Sequence, residues 1–140
     1  MIYADTSFLV SAYIEDRNSP AADDLLNSAD RLWFTPLHFA EWLHATSQQA
    51  FRGRLLASEI EMVRMELEAD RAAGLWVAAP IPDNAFDLCA ELARRYGAKL
   101  GIRTLDSLHV ACAVELKAER FWTFDERQAK LAKAEGLKTQ

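Results

Sequence analysis

MIYADTSFLV (residues 1–10) sets three strand-prone residues and Ala4 directly before an acid, Asp5, and two hydroxyl residues, Thr6 and Ser7. An apolar lead into Asp-Thr-Ser reads as a buried strand that stops where a helix starts. Proteins use such a junction for a helix cap, and they also use it for chemistry. The remainder of the chain bears on both readings.

Outward from this junction the sequence alternates. IYA (2–4), RLWF (31–34), LWVAA (75–79) and RFWTF (120–124) are short apolar or aromatic runs suited to buried strands. Helical patterns lie between them. DTSFLVSAYIED opens one, and SPAADDLLNSA carries Pro20 in a first turn. TPLHFAEWLHATSQQAF follows a Thr35-Pro36 cap signal, and SEIEMVRMELEADRAA has Ser58 and Glu61 at capping-box spacing. PDNAFDLCAELARRY, RTLDSLHVACAVELKA and DERQAKLAKAEG complete the series. All five glycines, Gly53, Gly74, Gly97, Gly101 and Gly136, fall where helices are expected to stop. Strand-helix alternation of this kind predicts an α/β fold, a parallel sheet flanked by helices on both faces. At 140 residues it is expected to form a single domain over 1–140.

A hydrophobic fraction of 51% and a charged fraction of 26% describe a globular chain and exclude disorder and collagen-like repeats. The apolar run Phe8 to Ile14 is too short to cross a bilayer and is flanked by Asp5 and Glu15, so no membrane span or signal peptide is expected and the cytoplasm is the default compartment. Cys89 and Cys112 lie in apolar helical stretches and are expected to pack as small hydrophobes. The net charge of −5 counts against nucleic-acid binding, since phosphate contacts come from Lys and Arg.

Four acids stand out. Asp5 and Asp125 follow predicted strands, and in an open parallel sheet ligands bind beyond the carboxyl ends of the strands. Each also suits a helix cap, Asp125 having Gln128 at capping-box spacing. Glu41 sits among apolar neighbours in PLHFAEWLHA, where a charge is costly unless it is paired or cation-bound. His38 and His44 flank it, but the HxxExxH spacing spreads the histidines too widely around a helix for the usual zinc pair. Asp106 opens the apolar helix GIRTLDSLHVACA, where a first-turn acid also suits the helix dipole or a pair with Arg103. His109, one turn on, reads as a packed or supporting histidine. Converging carboxylates repel, so such a cluster is expected to need a cation or raised pKa values. Oxygen-only ligation suits Mg²⁺ or Mn²⁺, the apparatus of phosphodiester hydrolysis.

YADTS, FAEWLHA, RTLDSLHVACA and WTFDERQAKLAKAEGL, in this order, resemble the PIN-domain ribonucleases, and among them the VapC-type toxins of toxin–antitoxin pairs. The resemblance covers nearly the whole chain. It implies a PIN-like three-layer sandwich and a metal-dependent endoribonuclease that uses Mg²⁺ or Mn²⁺. By position, Asp5, Glu41, Asp106 and Asp125 match the acidic catalytic and metal-binding quartet. Thr6 or Ser7 matches the small hydroxyl beside the first acid, and Thr123 the hydroxyl two before the last. The implied partners are RNA (tRNA among the candidates), a cognate antitoxin and a second copy of the chain in a homodimer. An acidic pocket invites a basic arm, so the antitoxin is expected to insert Arg or Lys between the carboxylates. Arg52, Arg54, Arg94, Arg95, Lys99 and Arg103 are candidate RNA contacts.

Rival readings have their own requirements. A haloacid-dehalogenase-like phosphatase needs an acid two residues after its nucleophile, and that position holds Ser7. A phosphorelay receiver needs adjacent acids near the first strand. A housekeeping RNA-processing PIN nuclease and an inactive PIN-like binding module remain alternatives to a toxin. Asn at position 5 or 106 is expected to abolish cleavage and spare the fold.

Overall fold

The computed structural model describes residues 1–140. Five short strands form one sheet: β1 (Ile2–Ala4), β2 (Leu32–Phe34), β3 (Trp76–Ala78), β4 (Arg120–Trp122) and β5 (Lys138–Thr139). Every pairing is parallel, and the order across the sheet is β3-β2-β1-β4-β5. The first four are the expected strands, most of them trimmed at the ends. β5 is an addition. It has no apolar run to announce it and exists by edge pairing, Arg120 with Lys138 and Phe121 with Thr139.

Seven helices connect the strands: α1 (Thr6–Tyr13), α2 (Ser19–Asn27), α3 (Pro36–Phe51), α4 (Ala57–Ala72), α5 (Ala85–Leu100), α6 (Thr104–Glu115) and α7 (Glu126–Ala134). Two of the expected boundary signals are displaced. The α4 entry is not built on Ser58 and Glu61. It starts a residue earlier, and Glu59 Oε2 accepts from the Leu56 amide at 2.6 Å. Gly97 does not end a helix but lies inside α5, which runs on to Gly101; there a φ of 62° lets the chain turn into α6.

Period-two alternation divides the strand side chains between two cores. Tyr3 and Phe121 face one, with Cys89 and Leu92 of α5, Val110 and Cys112 of α6 and Leu131 of α7. Ala4, Leu32, Phe34 and Trp122 face the other, with Phe8 and Leu9 of α1, Trp42 of α3 and Leu67 of α4. Both cysteines are free and buried, as expected. α6 is buried from Asp106 through Ala113, which accounts for its apolar composition all round. No helix is long and apolar enough to cross a membrane.

The chain leaves β1 for β2 on one side and later returns to β4 on the other, so the crevice at the carboxyl ends of β1 and β4 is the topological switch point. His38 fixes α3 against it. This side chain has no exposure. Its Nε2–H donates to the Ala4 carbonyl at 2.6 Å, and its Nδ1 accepts from the Thr35 amide at 3.0 Å. The two backbone partners define a neutral imidazole. Burial, reinforced by nearby His109, pushes its pKa down to about 3.

A base whose folded pKa lies below its unfolded one adds stability above the unfolded value and loses it on acidification. Between about pH 6.5 and 3 the unfolded chain takes up a proton that folded His38 refuses. Stability should therefore fall by about 1.4 kcal/mol per pH unit in that window through this residue. Urea melts at several pH values should show this slope, and His38→Gln should flatten it.

Candidate active site

Asp5 directly follows β1 and caps α1, its Oδ1 accepting from the Phe8 amide at 3.0 Å. Asp125 lies just beyond β4 and caps α7, its Oδ1 accepting from Arg127 N at 2.8 Å and Gln128 N at 3.0 Å. Because β1 and β4 are neighbours, these two caps stand side by side at the switch point. Glu41 reaches the same place from α3 and Asp106 from the first turn of α6. All four acids line one cleft of about 160 Å³ together with Thr6, Ser7, Arg103, His109 and Gln128, and none of its lining residues is hydrophobic.

Each carboxylate meets a different set of donors. Asp5 is 1% exposed and accepts four hydrogen bonds. Ser7 Oγ (2.7 Å) and Phe8 N bind Oδ1, while Thr123 Oγ1 (2.7 Å) and Gln128 Nε2 (2.8 Å) bind Oδ2. The two hydroxyls are themselves oriented by the backbone. Ser7 Oγ accepts from Phe124 N at 3.1 Å, and Thr123 Oγ1 accepts from Asp125 N at 3.0 Å. Burial pushes the Asp5 carboxyl above its ordinary pKa, against His109, Ser7, Thr123 and Phe8, which favour the ionised form.

Glu41 Oε2 accepts from Thr6 Oγ1 at 2.6 Å and from His109 Nε2 at 2.5 Å, and Tyr3 OH lies 2.9 Å from His109 Nδ1. Burial pushes the Glu41 carboxyl up, but His109 and Thr6 outweigh it and hold the carboxyl below its ordinary range. Asp106 pairs with Arg103, whose Nε and backbone N both donate to Oδ2 at 3.1 Å. The Arg103 guanidinium also feels Asp125 and Glu41, and its pKa is raised.

The expected residues sort clearly. Thr6, Ser7 and Thr123 all bond to the acids, but Thr6 serves Glu41 and not Asp5. Of the basic candidates only Arg103 lines the cleft. Arg52, Arg54, Arg94 and Lys99 are exposed elsewhere, and Arg95 is taken up by Glu135, Glu91 and Tyr96. His38 is committed to the backbone and His44 is exposed, so the HxxExxH pattern gathers no zinc site. As the side chains stand, no three His, Cys, Asp or Glu groups are gathered closely enough to grip an ion together.

Two contributors escape the sequence, and His109, expected as a packed or supporting histidine, is recovered without its partner. Tyr3 reads only as strand core, and His109 gives no sign that its partner is Glu41. Gln128 does not reach back to close a capping box on Asp125; its amide crosses to Asp5. Spacing of i to i+3 within one helix cannot reveal a bond between residues 123 positions apart.

A parallel α/β sandwich with four acids converging at its switch point defines the class. The chain belongs to the PIN domain family, whose profile matches residues 2–134. No curated protein matches the chain. Several solved structures share its fold. FitAcB from Neisseria gonorrhoeae is 17% identical with a TM-score of 0.69, covering 99% of this chain and 96% of that one. VapC20 of Mycobacterium tuberculosis, described as a sarcin-ricin loop cleaving toxin, is 14% identical with a TM-score of 0.68, covering 93% and 94%. VapBC2 from Rickettsia felis, bound to a DNA fragment from its promoter, is 19% identical with a TM-score of 0.65, covering 100% and 98%.

The donor pattern changes one expectation, that Asn at position 5 spares the fold. An Asn amide turns its NH₂ on donors whichever way it is placed, leaving buried groups unsatisfied at about 1–3 kcal/mol. Asp5→Asn should therefore lower the urea midpoint clearly. Asp106→Asn, which weakens an exposed-arginine pair and a helix-dipole contact, should cost only about 1 kcal/mol.

Proposed function

We propose that the chain is a Mg²⁺- or Mn²⁺-dependent endoribonuclease, the toxin of a toxin–antitoxin pair, acting in the cytoplasm as one domain over residues 1–140. The observation that carries this is the meeting of Asp5, Glu41, Asp106 and Asp125, drawn from separate elements, in one polar cleft. Membership of the PIN domain family adds to it. So does likeness in fold to VapC20, a sarcin-ricin loop cleaving toxin.

The donor set suits a hard ion. Carboxylates and hydroxyls dominate the lining, and the one imidazole is already engaged by Glu41 and Tyr3. Asp5, Glu41, Asp106 and Asp125 would hold the cation. A divalent ion bound there supplies activation of water and neutralisation of charge on the phosphoryl group. The chain's own residues prepare the site. Thr6 and His109 keep Glu41 ionised and aimed, Ser7 and Thr123 hold Asp5, and Arg103 is the guanidinium within reach of a phosphate oxygen.

Two partners follow. A basic segment of an antitoxin is the complement of the acidic cleft, in keeping with the FitAB and VapBC2 assemblies among the fold relatives. A second copy of the chain is the candidate cover for the exposed apolar side chains of Phe51, Leu56, Met62 and Met65. A second reading is an inactive PIN-like binding module. It is favoured by the fully bonded Asp5 and by the lack of three acids gathered around one point.

Incubation of the purified protein with total RNA should give discrete cleavage ends with Mg²⁺ and none with EDTA. Glu41→Gln keeps an acceptor for Thr6 and His109, and Asp106→Asn keeps one for Arg103. Both variants should stay folded and cut at least about 100-fold more slowly, the upper end of what losing even an outer-shell partner of a metal ligand costs. Uncut RNA in Mg²⁺ with wild-type protein would favour the binding module.

A further inference from the structure

Gln128 is the one residue lining the cleft that carries an unanswered buried polar atom. It is 5% exposed, and its Oε1 is shut off from solvent with no hydrogen-bond partner. Its Nε2 donates to Asp5 Oδ2 at 2.8 Å. Asp5 fixes that orientation, because a carboxylate only accepts and would repel Oε1 in the same place. An orphaned buried acceptor is costly and calls for an explanation.

Asp5 supplies one. A carboxylate offers about four lone-pair directions, and the four donors to Asp5 fill them. To reach a cation, Asp5 must release a donor. Phe8 N belongs to the α1 backbone. Ser7 Oγ and Thr123 Oγ1 each accept from a backbone amide, which directs their protons toward Asp5. Gln128 alone donates from a terminal group free of other bonds. A half-turn about its last torsion exchanges Nε2 and Oε1 almost in place. An oxygen would then stand beside Asp5 Oδ2, a repulsive arrangement for two bare oxygens and a favourable one for two oxygens sharing a hard cation.

We propose that Gln128 is an amide switch in the cleft. Its NH₂ serves Asp5 in the cation-free protein, and its carbonyl oxygen joins Asp5 as a donor to Mg²⁺ or Mn²⁺, directly or through a water. This rests on the metal-dependent reading above and adds to it a residue outside the acidic quartet. The reversal would give the unmet carbonyl oxygen a cation to bind, with the NH₂ turned into the position that oxygen now holds. It also assigns opposite effects to two substitutions. Gln128→Glu keeps the oxygen and adds charge while losing the donor, so it should weaken the cation-free fold and strengthen cation binding. Gln128→Leu loses both atoms and should weaken cation binding by about tenfold or more.

The test uses the full chain labelled with ¹⁵N. On Mg²⁺ titration the Gln128 side-chain NH₂ signals should move saturably, with the same midpoint as the backbone amides of Arg103 and Asp106. Thermal melts give the second readout. Relative to wild type, Gln128→Glu should melt lower in EDTA yet gain more from Mn²⁺, and Gln128→Leu should gain less. If the Arg103 and Asp106 amides respond to Mg²⁺ while the Gln128 NH₂ stays still, or if both variants gain as wild type does, Gln128 is merely structural and the switch is wrong. If no amide of the wild-type cleft responds, the metal reading itself fails and the switch fails with it.

Discussion

The buried carboxylate of Asp5 is tied to segments from both ends of the chain. Its donors come from α1, from the residue after β4 and from α7, so the bonds close only when β1 and β4 are paired and both following helices start in register. A charge with 1% exposure is tolerable only when such bonds replace its water. The site is thus a structural clasp as well as a candidate for chemistry. Capping and chemistry do not compete here. An N-cap needs extended backbone at the end of a strand, and that same geometry projects a carboxylate over the edge of the sheet.

The other acids are stabilised one by one. Glu41 is held by Thr6 and by His109, Asp106 by Arg103, and Asp125 by the amide groups that open α7. Converging carboxylates suggest either a cation or raised pKa values when sequence is the only guide. The fold adopts a third arrangement, in which each acid has its own donors. Burial raises Asp5, while His109 and Thr6 lower Glu41 against its own burial. Repulsion within the cleft is therefore spread over separate bonds, and the two strand-end acids add to helix stability.

Much of this was legible because it rests on local signals. The first four strands are apolar runs, the helices begin at Thr35-Pro36, Asp5 and Asp125, and the acids follow strands or open helices. The four-acid convergence came into view through resemblance as much as through pattern. What escaped depends on distant partners. β5 is held by an edge ladder and not by hydrophobicity, Gly97 is absorbed by a helix whose packing continues past it, and Gln128 finds its partner near the opposite end of the chain. His109 reads as a packed or supporting histidine, and it is both, buried yet bonded to Glu41 and close to the Tyr3 hydroxyl. Its function as a donor to Glu41 requires α6 and α3 to meet, which no spacing within either helix encodes.

The acidic balance of the chain then takes on a specific meaning. Four carboxylates and one guanidinium leave the cleft net negative, and the other basic residues proposed as RNA contacts lie outside it. A phosphate approaching that cleft is repelled until the carboxylates meet a cation, after which the same acids support a positive centre. On the nuclease reading, cation binding must precede productive RNA binding. Arg103, by pairing with Asp106, offsets one of the four acids. On that reading Asp106 would be one of the residues that hold the cation, which would leave the guanidinium free for a phosphate oxygen.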